Sequence, residues 1–249
     1  MKDNFGNRMK KYEECFKHFL PTKSCIILRL DGKSFHSFTR GMEKPFDSKL
    51  RQCMIQATLE LCKKIQNAKF AYCQSDEISL LLTDYEDIKT CAWFDNNIQK
   101  MVSISASICT MAFNKEYEKL FDNKIAHFDS RIFMIPKEEV CNYFYWRQQD
   151  ATRNSIQMVA RSFFSHKECH KKNTSELQDM LMLQKSVNWN DYSTQFKRGV
   201  AFYKEKIVKP ATTTSTQFVI PDNIERRVWK VDYEMPILSK DRSYVDRHL

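Results

Sequence analysis

Apolar and polar positions in the first 136 residues form two kinds of pattern, one typical of strands and one typical of helices. Five of the six residues from Cys25 to Leu30 are apolar, which predicts a buried strand. Other strands are predicted where β-branched and aromatic residues cluster, and helices where apolar residues recur every three or four positions. The predicted strands are 25–30, 70–73, 78–82 and 131–135, and the predicted helices between them are 47–65 and 96–114.

The order of these elements is β-α-β-β-α-β, which is the ferredoxin-like pattern. In this pattern the first and third strands are antiparallel neighbours at the centre of the sheet. The sequence therefore predicts an α+β fold with an antiparallel sheet and helices on one face. An amphipathic helix that packs by its apolar side is predicted before the sheet, at 7–20, and Pro21 ends it.

The pattern changes after Pro136. A long helix or a helix pair is predicted for 138–164, where proline and glycine are absent, and another helix for 174–185. Residues 191–206 predict a further helix, either continuous or broken at Gly199, followed by an exposed loop or edge segment at 209–216 and a last strand at 229–233. We therefore divide the chain into a catalytic domain at 1–136 and a mainly helical, basic C-terminal region at 137–249.

Two aspartates occupy matching places in this topology. Asp31 ends the first strand beside Gly32, and Asp76 lies in the turn that leads into the third strand. Both carboxylates are expected at one edge of the sheet, where their repulsion is relieved by a cation between them. Hard oxygen ligands without softer neighbours favour Mg²⁺ over zinc. The alternative for each aspartate is an ordinary turn former or helix cap.

Three segments resemble the signature of the tRNA(His) guanylyltransferase family, in the same order and at similar spacing. They are Arg29-Leu30-Asp31-Gly32-Lys33-Ser34-Phe35-His36, Lys44-Pro45-Phe46-Asp47-Ser48 and Gln74-Ser75-Asp76-Glu77. Trp146-Arg147-Gln148-Gln149-Asp150 resembles a second conserved block of the family. The resemblance extends over about residues 24–160.

The resemblance implies a polymerase-palm fold and an enzyme that adds nucleotides to the 5′ end of tRNA in the 3′-to-5′ direction. It implies two Mg²⁺ ions, held by Asp31, the backbone carbonyl of Gly32, and Asp76, with the two aspartates as the catalytic residues. It also implies ATP or GTP as the bound nucleotide, tRNA as the partner and a homotetramer. The nucleotide is expected to contact Asp31, Gly32, Lys33, Ser34, Phe35, His36, Lys44, Ser75 and Asp76.

Four further residues near these motifs have more than one interpretation. Arg29 breaks an otherwise buried strand, so it either reaches a phosphate or lies at the sheet surface. His36 is either a triphosphate contact or a hydrogen-bonded structural histidine. Asp47 either takes part directly in catalysis or is the N-cap of the following helix, and we expect the N-cap. Glu77 either assists the metals or lies on the face opposite Asp76, and strand alternation favours the opposite face.

The segment after the second block departs from the eukaryotic enzymes of the family. Those enzymes carry His-Ile-Asn-Asn, where this chain has Thr152-Arg153-Asn154-Ser155. The departure favours the guanylyltransferase-like branch, which resembles repair enzymes that rebuild truncated tRNA 5′ ends by Watson-Crick pairing. Asn154 is the motif residue that is retained, and we expect it to contact the nucleotide.

Composition favours a polyanionic partner and a reducing compartment. The net charge is +9 at a pI near 9.0. The nine cysteines include no C-x-x-C pair, which is typical of reduced thiols. The chain has no apolar leader and no apolar stretch of membrane length, so we expect a cytoplasmic protein without a membrane partner.

Basic residues are frequent between Arg147 and Lys172, and they form either a phosphate-backbone surface or a solvated helix face. Within this region, His166, Cys169 and His170 suggest a zinc site, but no second cluster completes four ligands. A polar, basic loop near the RNA is the preferred interpretation of this segment.

Three alternative functions are consistent with parts of this pattern. A palm-type nucleotidyl cyclase would make a cyclic product from nucleotide alone. A non-catalytic RNA-binding module would bind tRNA without incorporating nucleotides. The third alternative is dedicated guanylate addition to tRNA(His), which the Thr152-Arg153-Asn154-Ser155 segment disfavours.

Overall fold

The structure is a computed structural model, and it describes residues 4–121, 124–210 and 223–249. The strands are β1 (Cys25–Gly32), β2 (Ala68–Gln74), β3 (Glu77–Thr83), β4 (Phe128–Ile135), β5 (Val200–Pro210) and β6 (Asn223–Asp232). The α-helices are α1 (Asn4–Glu14), α2 (Phe35–Phe38), α3 (Ser48–Lys64), α4 (Ile98–Leu120), α5 (Val140–Phe163), α6 (His166–Cys169), α7 (Thr174–Lys185), α8 (Thr194–Arg198) and α9 (Ser243–Asp246).

The strands form an antiparallel sheet in the order β4-β1-β3-β2-β5-β6. The first four strands confirm the β-α-β-β-α-β order and the ferredoxin-like arrangement. β1 and β3 are central neighbours, and their pairing runs from Cys25 opposite Thr83 to Asp31 opposite Glu77. The last residue pair of this ladder lies at the edge where the site was predicted.

β1 is apolar along nearly its whole length because both faces of the sheet are covered. Alternate residues, Ile26 and Leu28 among them, pack in the hydrophobic core that α3 and α4 share. Ile27 faces the other way and packs in a second core, to which α5 contributes Val140 and Phe144. Strands buried on both faces lose the usual alternation of apolar and polar positions, and this explains the continuous apolar run.

The C-terminal region contributes both helices and strands. α5 and α7 confirm the helices predicted for 138–164 and 174–185, and β6 confirms a last strand. The helix predicted for 191–206 is wrong beyond Gly199, because β5 begins at Val200 and pairs with β2. Most of the predicted loop at 209–216 lies outside the described residues. The division at residue 136 stays a prediction.

Gly199 explains why the helix ends where it does. Its φ is +86°, and a Cβ atom there would lie 2.6 Å from the Tyr72 ring and 2.7 Å from the Cys73 carbonyl oxygen. Only glycine accommodates both this conformation and this approach to β2. The chain therefore leaves α8 and enters the sheet at this residue.

The N-terminal helix differs from its prediction in length and in packing. α1 ends at Glu14, and none of its residues is buried. Phe5 and Tyr12 are 63% and 65% exposed. The prediction that its apolar side packs is wrong, because α3, α4 and α5 already cover the sheet. Along the described ranges, every helix is too short or too polar to cross a bilayer.

Candidate active site

Asp31 and Asp76 reach the same edge of the sheet from distant parts of the sequence. Asp31 lies in the last residue pair of the β1–β3 ladder, opposite Glu77, and Asp76 is the residue before Glu77. Ser75 adopts a φ of +47° in the tight turn between β2 and β3, and its side chain hydrogen-bonds to Asp76. Burial, and after it the charge of Asp31, raise the pKa of Asp76 to about 6. The two carboxylates therefore interact directly through their charges.

The carboxylates on the two strands beside Asp31, namely Asp129 and Glu77, are each paired with an arginine. Opposite Asp31 on β4 lies Asp129, whose carboxylate is 3.1 Å from Arg131 Nη2. The same Arg131 nitrogen is 3.8 Å from Asp31 Oδ2, near the limit for an ion pair. Asp31 and Asp76 are therefore left with little cationic compensation, in contrast to their neighbours.

The charge of Glu77 is neutralised by Arg147, which lies in the Trp146-Arg147-Gln148-Gln149-Asp150 segment. Arg147 donates two hydrogen bonds to Glu77, from Nε at 2.7 Å and from Nη2 at 2.8 Å. Its Nη2 also lies 2.9 Å from Asp150 Oδ2, and Arg147 and Glu77 are both buried. This buried ion pair ties α5 to the start of β3. Glu77 is thereby committed to Arg147 and is a structural carboxylate.

A cavity of about 390 Å³ opens beside Asp76. It lies between α2, the 42–47 segment, the start of α3, the β2–β3 turn and α5. Six residues predicted to contact nucleotide line it: Phe35, His36, Lys44, Ser75, Asp76 and Asn154. Arg29, Asp31, Gly32, Lys33 and Ser34 do not line it, and they lie on or directly after the strand that ends beside it.

Other cavity residues were not predicted. Phe46 and Phe196 stack with ring centroids 4.8 Å apart and planes 5° apart, and they give the cavity an aromatic wall. Arg51 lies over the Phe196 ring, with Cζ 5.6 Å from its centroid, and Arg161 lies on α5. A site with an aromatic wall and three cationic side chains, Lys44 included, has the chemistry that a base and its phosphates need.

The segment from Gly32 to His36 turns sharply from β1 into α2. Ser34 has a φ of +55°, and the Phe35 ring is buried against Phe113 and Phe128. Successive backbone N–H groups in a turn can form an anion-binding nest. Here the Lys33 N–H donates a hydrogen bond to the His127 carbonyl at 2.8 Å, so this N–H is not available to bind an anion.

Two of the residues with alternative interpretations gain structural detail. Asp47 is the N-cap of α3, as predicted, and accepts hydrogen bonds from the backbone N–H groups of Lys49 and Leu50 at 2.9 and 3.0 Å. Arg29 is partly exposed, and its Nε is buried without a hydrogen-bond partner among the described residues. An unpaired guanidinium N–H at this depth is costly, which favours an anion beside Arg29.

The donor set at the sheet edge fits Mg²⁺. Two carboxylates that raise each other's energy, beside the carbonyl of Gly32, are hard oxygen ligands. Within 4–121, 124–210 and 223–249, no three His, Cys, Asp or Glu side chains gather to form a complete metal cage. Mg²⁺ commonly uses one or two carboxylates with water and substrate phosphates in place of such a cage.

Replacement of Gly32 by Ala is expected to damage this turn. A Cβ atom at residue 32 would lie 2.2 Å from Cδ2 of the Phe35 ring, so the ring would have to leave its place in the core. Overpacking of this kind typically costs about 1 to 3 kcal/mol. Urea unfolding of the Gly32→Ala variant measures the loss. A free energy of unfolding equal to that of the wild type would show that the ring moves without cost.

Asp76→Asn is expected to stabilise the metal-free protein at neutral pH. The folded pKa of Asp76 is about 6, above its ordinary value of 3.8, so the wild type loses stability as pH rises from about 4 to about 6. Asn does not titrate and escapes this loss. The variant's free energy of unfolding should exceed that of the wild type by a margin that grows by about 1 to 2 kcal/mol between pH 4 and pH 7, a value reduced because Asp76 is partly exposed. Denaturation in EDTA measures this difference, and a difference independent of pH would contradict the raised pKa of Asp76.

Comparison with known families gives one match that covers more than half of the chain. Residues 6–136 match the family model described as "Thg1: tRNAHis guanylyltransferase". The chain is 29% identical over 216 residues to a tRNA(His) guanylyltransferase of Debaryomyces hansenii, and the alignment covers 79% of each chain.

Two solved bacterial structures are similar over nearly the whole chain. One is described as a bacterial tRNA(His) guanylyltransferase (Thg1)-like protein in complex with ATP. It is 43% identical, has a TM-score of 0.88, and the match covers 98% of this chain and 99% of the other. The other is described as such a protein in complex with GTP. It is 40% identical, has a TM-score of 0.81, and the match covers 99% of both chains.

Proposed function

The chain belongs to the tRNA(His) guanylyltransferase family and is a nucleotidyltransferase, and we propose that it adds nucleotides in the 3′-to-5′ direction to the 5′ end of tRNA. The observation that carries the proposal is the interaction of Asp31 with Asp76 beside a cavity of about 390 Å³. Phosphoryl transfer places negative charge on the phosphate that moves and on the entering and leaving oxygens. Two carboxylates with little cationic compensation at that place suit a cation that offsets this charge.

Asp31, Asp76 and the Gly32 carbonyl would hold the Mg²⁺ ions, two in number. When bound, such a metal pair supplies charge neutralisation on the entering and leaving oxygens. The chain's own residues fix where this happens. The turn from Gly32 to α2, tightened by the Phe35 ring, sets the position of Asp31, and the bonds from Arg147 to Glu77 set the position of the turn that carries Asp76.

The nucleoside triphosphate would lie in the cavity, in keeping with the ATP and GTP held by the two similar bacterial proteins. The stacked rings of Phe46 and Phe196 would pack against the base. Lys44 and Arg51 would balance phosphate charge. Asn154 and Ser75 would donate hydrogen bonds to the nucleotide, since both line the cavity.

The reaction runs in two steps. A tRNA that ends in a 5′-monophosphate is first activated by adenylylation with ATP, which releases pyrophosphate, whereas a 5′ end that already carries a triphosphate enters the second step directly. The 3′ hydroxyl of the incoming nucleoside triphosphate then attacks the activated phosphorus. The new P–O bond forms as AMP or pyrophosphate leaves, and the hydroxyl proton passes to solvent. The new 5′ end carries a triphosphate.

Template-directed repair of truncated 5′ ends is the mode that we propose. It rests on the Thr152-Arg153-Asn154-Ser155 segment, which replaces the His-Ile-Asn-Asn of the eukaryotic enzymes and stands on α5 with Asn154 in the cavity. A cytoplasmic location and a homotetramer stay predictions.

The test uses tRNA lacking its first 5′ nucleotide, labelled at the 3′ end, with each nucleoside triphosphate in turn and Mg²⁺. Elongation by the nucleotide complementary to the facing base is the expected result. Guanylate addition whatever the facing base would indicate dedicated guanylylation. A cyclic product without tRNA would indicate a cyclase, and binding without elongation a non-catalytic module. Each of these three results overturns the proposal.

A further inference from the structure

A second cavity, of about 160 Å³, lies where α5 ends. It is formed by the last two turns of α5, by α6 and the loop after it, and by the start of α7. We name it the basic cleft. Its lining includes five cationic or imidazole side chains: Arg161, His166, His170, Lys171 and Lys172. The cleft is large enough for several water molecules, and therefore for a phosphate group.

The positive charge of the cleft is not balanced by its own lining, because no carboxylate lines it. Glu168 lies on α6, but its Oε2 accepts hydrogen bonds from the backbone N–H and the hydroxyl of Ser165, at 2.8 and 2.6 Å, in a capping box. In the described part of the chain, Arg161, Lys171 and Lys172 form no ion pair with a carboxylate. Like charges gathered around a cavity are relieved when an anion enters.

Two cationic groups from different elements lie near one side chain of the cleft. Arg161 on α5 and Lys172 in the loop after α6 both line the cleft together with Cys169. Burial raises the pKa of the Cys169 thiol, the positive charges of Arg161 and Lys172 lower it, and the negative charge of the neighbouring Glu168 raises it. The rings of His166 and His170 lie 5.9 Å apart beside them.

A metal ion does not explain the cleft. His166, Cys169 and His170 have ligand chemistry, yet no group of three such side chains comes together as a metal site in the ranges that the structure describes. The neighbouring ammonium and guanidinium groups would also repel a metal cation. The chemistry of the cleft is that of an anion site.

The basic cleft adjoins the nucleotide cavity, because Arg161 lines both. Resting on the proposed function, we infer that the basic cleft binds a backbone phosphate of the tRNA whose 5′ end lies at Asp31 and Asp76. RNA carries phosphates in a row, so one phosphate can react beside Asp31 and Asp76 while a neighbouring phosphate is bound in the basic cleft. The cleft would thereby fix the position of the RNA next to the reacting end.

The test measures RNA binding apart from catalysis. The Lys171→Glu/Lys172→Glu variant is titrated with fluorescently labelled, 5′-truncated tRNA across a salt series. We expect affinity to fall at least about tenfold, and the slope of log K against log salt to become shallower by about 1.5. The Kd for ATP and the melting temperature should stay at wild-type values, since both lysines are exposed and lie outside the nucleotide cavity.

The Lys64→Glu/Lys115→Glu variant is the matched control. It makes the same change in net charge at exposed residues, and Lys64 is the last residue of α3, at the end away from the cavity. Equal loss of RNA affinity in both variants would reduce the cleft to part of a general positive field and overturn the inference. Unchanged RNA affinity in the cleft variant, with stabilisation by inorganic phosphate in the wild type alone, would assign the cleft to a free anion and also overturn it.

Failure of this inference and failure of the proposed function give different results. A wild type that elongates tRNA, with both variant pairs binding RNA alike, would refute only the role of the cleft. A wild type that binds tRNA through the cleft and never elongates it would refute only the proposed function.

Discussion

Asp76→Asn is expected to lower nucleotide addition to 5′-truncated tRNA by at least about a thousandfold, or roughly 4 kcal/mol of transition-state stabilisation. The amide keeps the size of the carboxylate and loses the charge that would hold Mg²⁺. Folding should not suffer, because burial, and after it the charge of Asp31, make ionised Asp76 unfavourable. Single-turnover rates at saturating nucleotide, with circular dichroism as the check on folding, measure the effect.

Asp129→Asn is the matched control for this loss. Asp129 lies opposite Asp31 on β4, at the same edge of the sheet, and is paired with Arg131. The substitution removes the same charge from a carboxylate that is already compensated. We expect it to retain activity to within about tenfold. Equal losses in the two variants would show that the total charge of the edge matters and that Asp76 has no special role.

Arg147→Met is expected to lower the free energy of unfolding by about 3 to 5 kcal/mol, because it leaves the carboxylate of Glu77 buried without its cation. For a chain of this size the melting temperature should fall by roughly 10 °C. Thermal denaturation followed by circular dichroism measures the change. A fall of less than about 1 kcal/mol would mean that water reaches Glu77 and that the pair contributes little.

The Glu77→Gln/Arg147→Met double variant separates the ion pair from simple loss of packing. With both charges absent, no carboxylate is left unpaired at residue 77, and Asp150 keeps Arg153 as its partner. Most of the stability lost in Arg147→Met should return. A double variant less stable than either single variant would contradict this explanation, because the two losses would then be independent.

The sequence was sufficient for the topology of the first four strands and for the meeting of the two aspartates. Both followed from period and order alone: a buried strand, a helix at 3.6-residue spacing, and a hairpin imply that β1 and β3 are neighbours. Once those strands are paired, the places of Asp31 and Asp76 follow from where each strand ends.

Contacts between distant segments could not be predicted from the sequence. Lys204 and Lys206 lie in β5, within the stretch 191–206 for which a helix was predicted, and pairing with β2 and β6 makes this segment a strand. The bond between Arg147 and Glu77 joins a helix to a strand far earlier in the chain. The stacking of Phe46 on Phe196 likewise depends on how α8 approaches the 42–47 segment.

The most direct test of the account is a titration of Mn²⁺, as a substitute for Mg²⁺, into the protein without nucleotide, with free Mn²⁺ followed by electron paramagnetic resonance. We expect the wild type to bind the metal, and Asp31→Asn and Asp76→Asn each to weaken binding at least about tenfold, while Asp129→Asn binds as the wild type does. Binding of wild-type strength in Asp76→Asn would contradict the claim that Asp31 and Asp76 share one metal site.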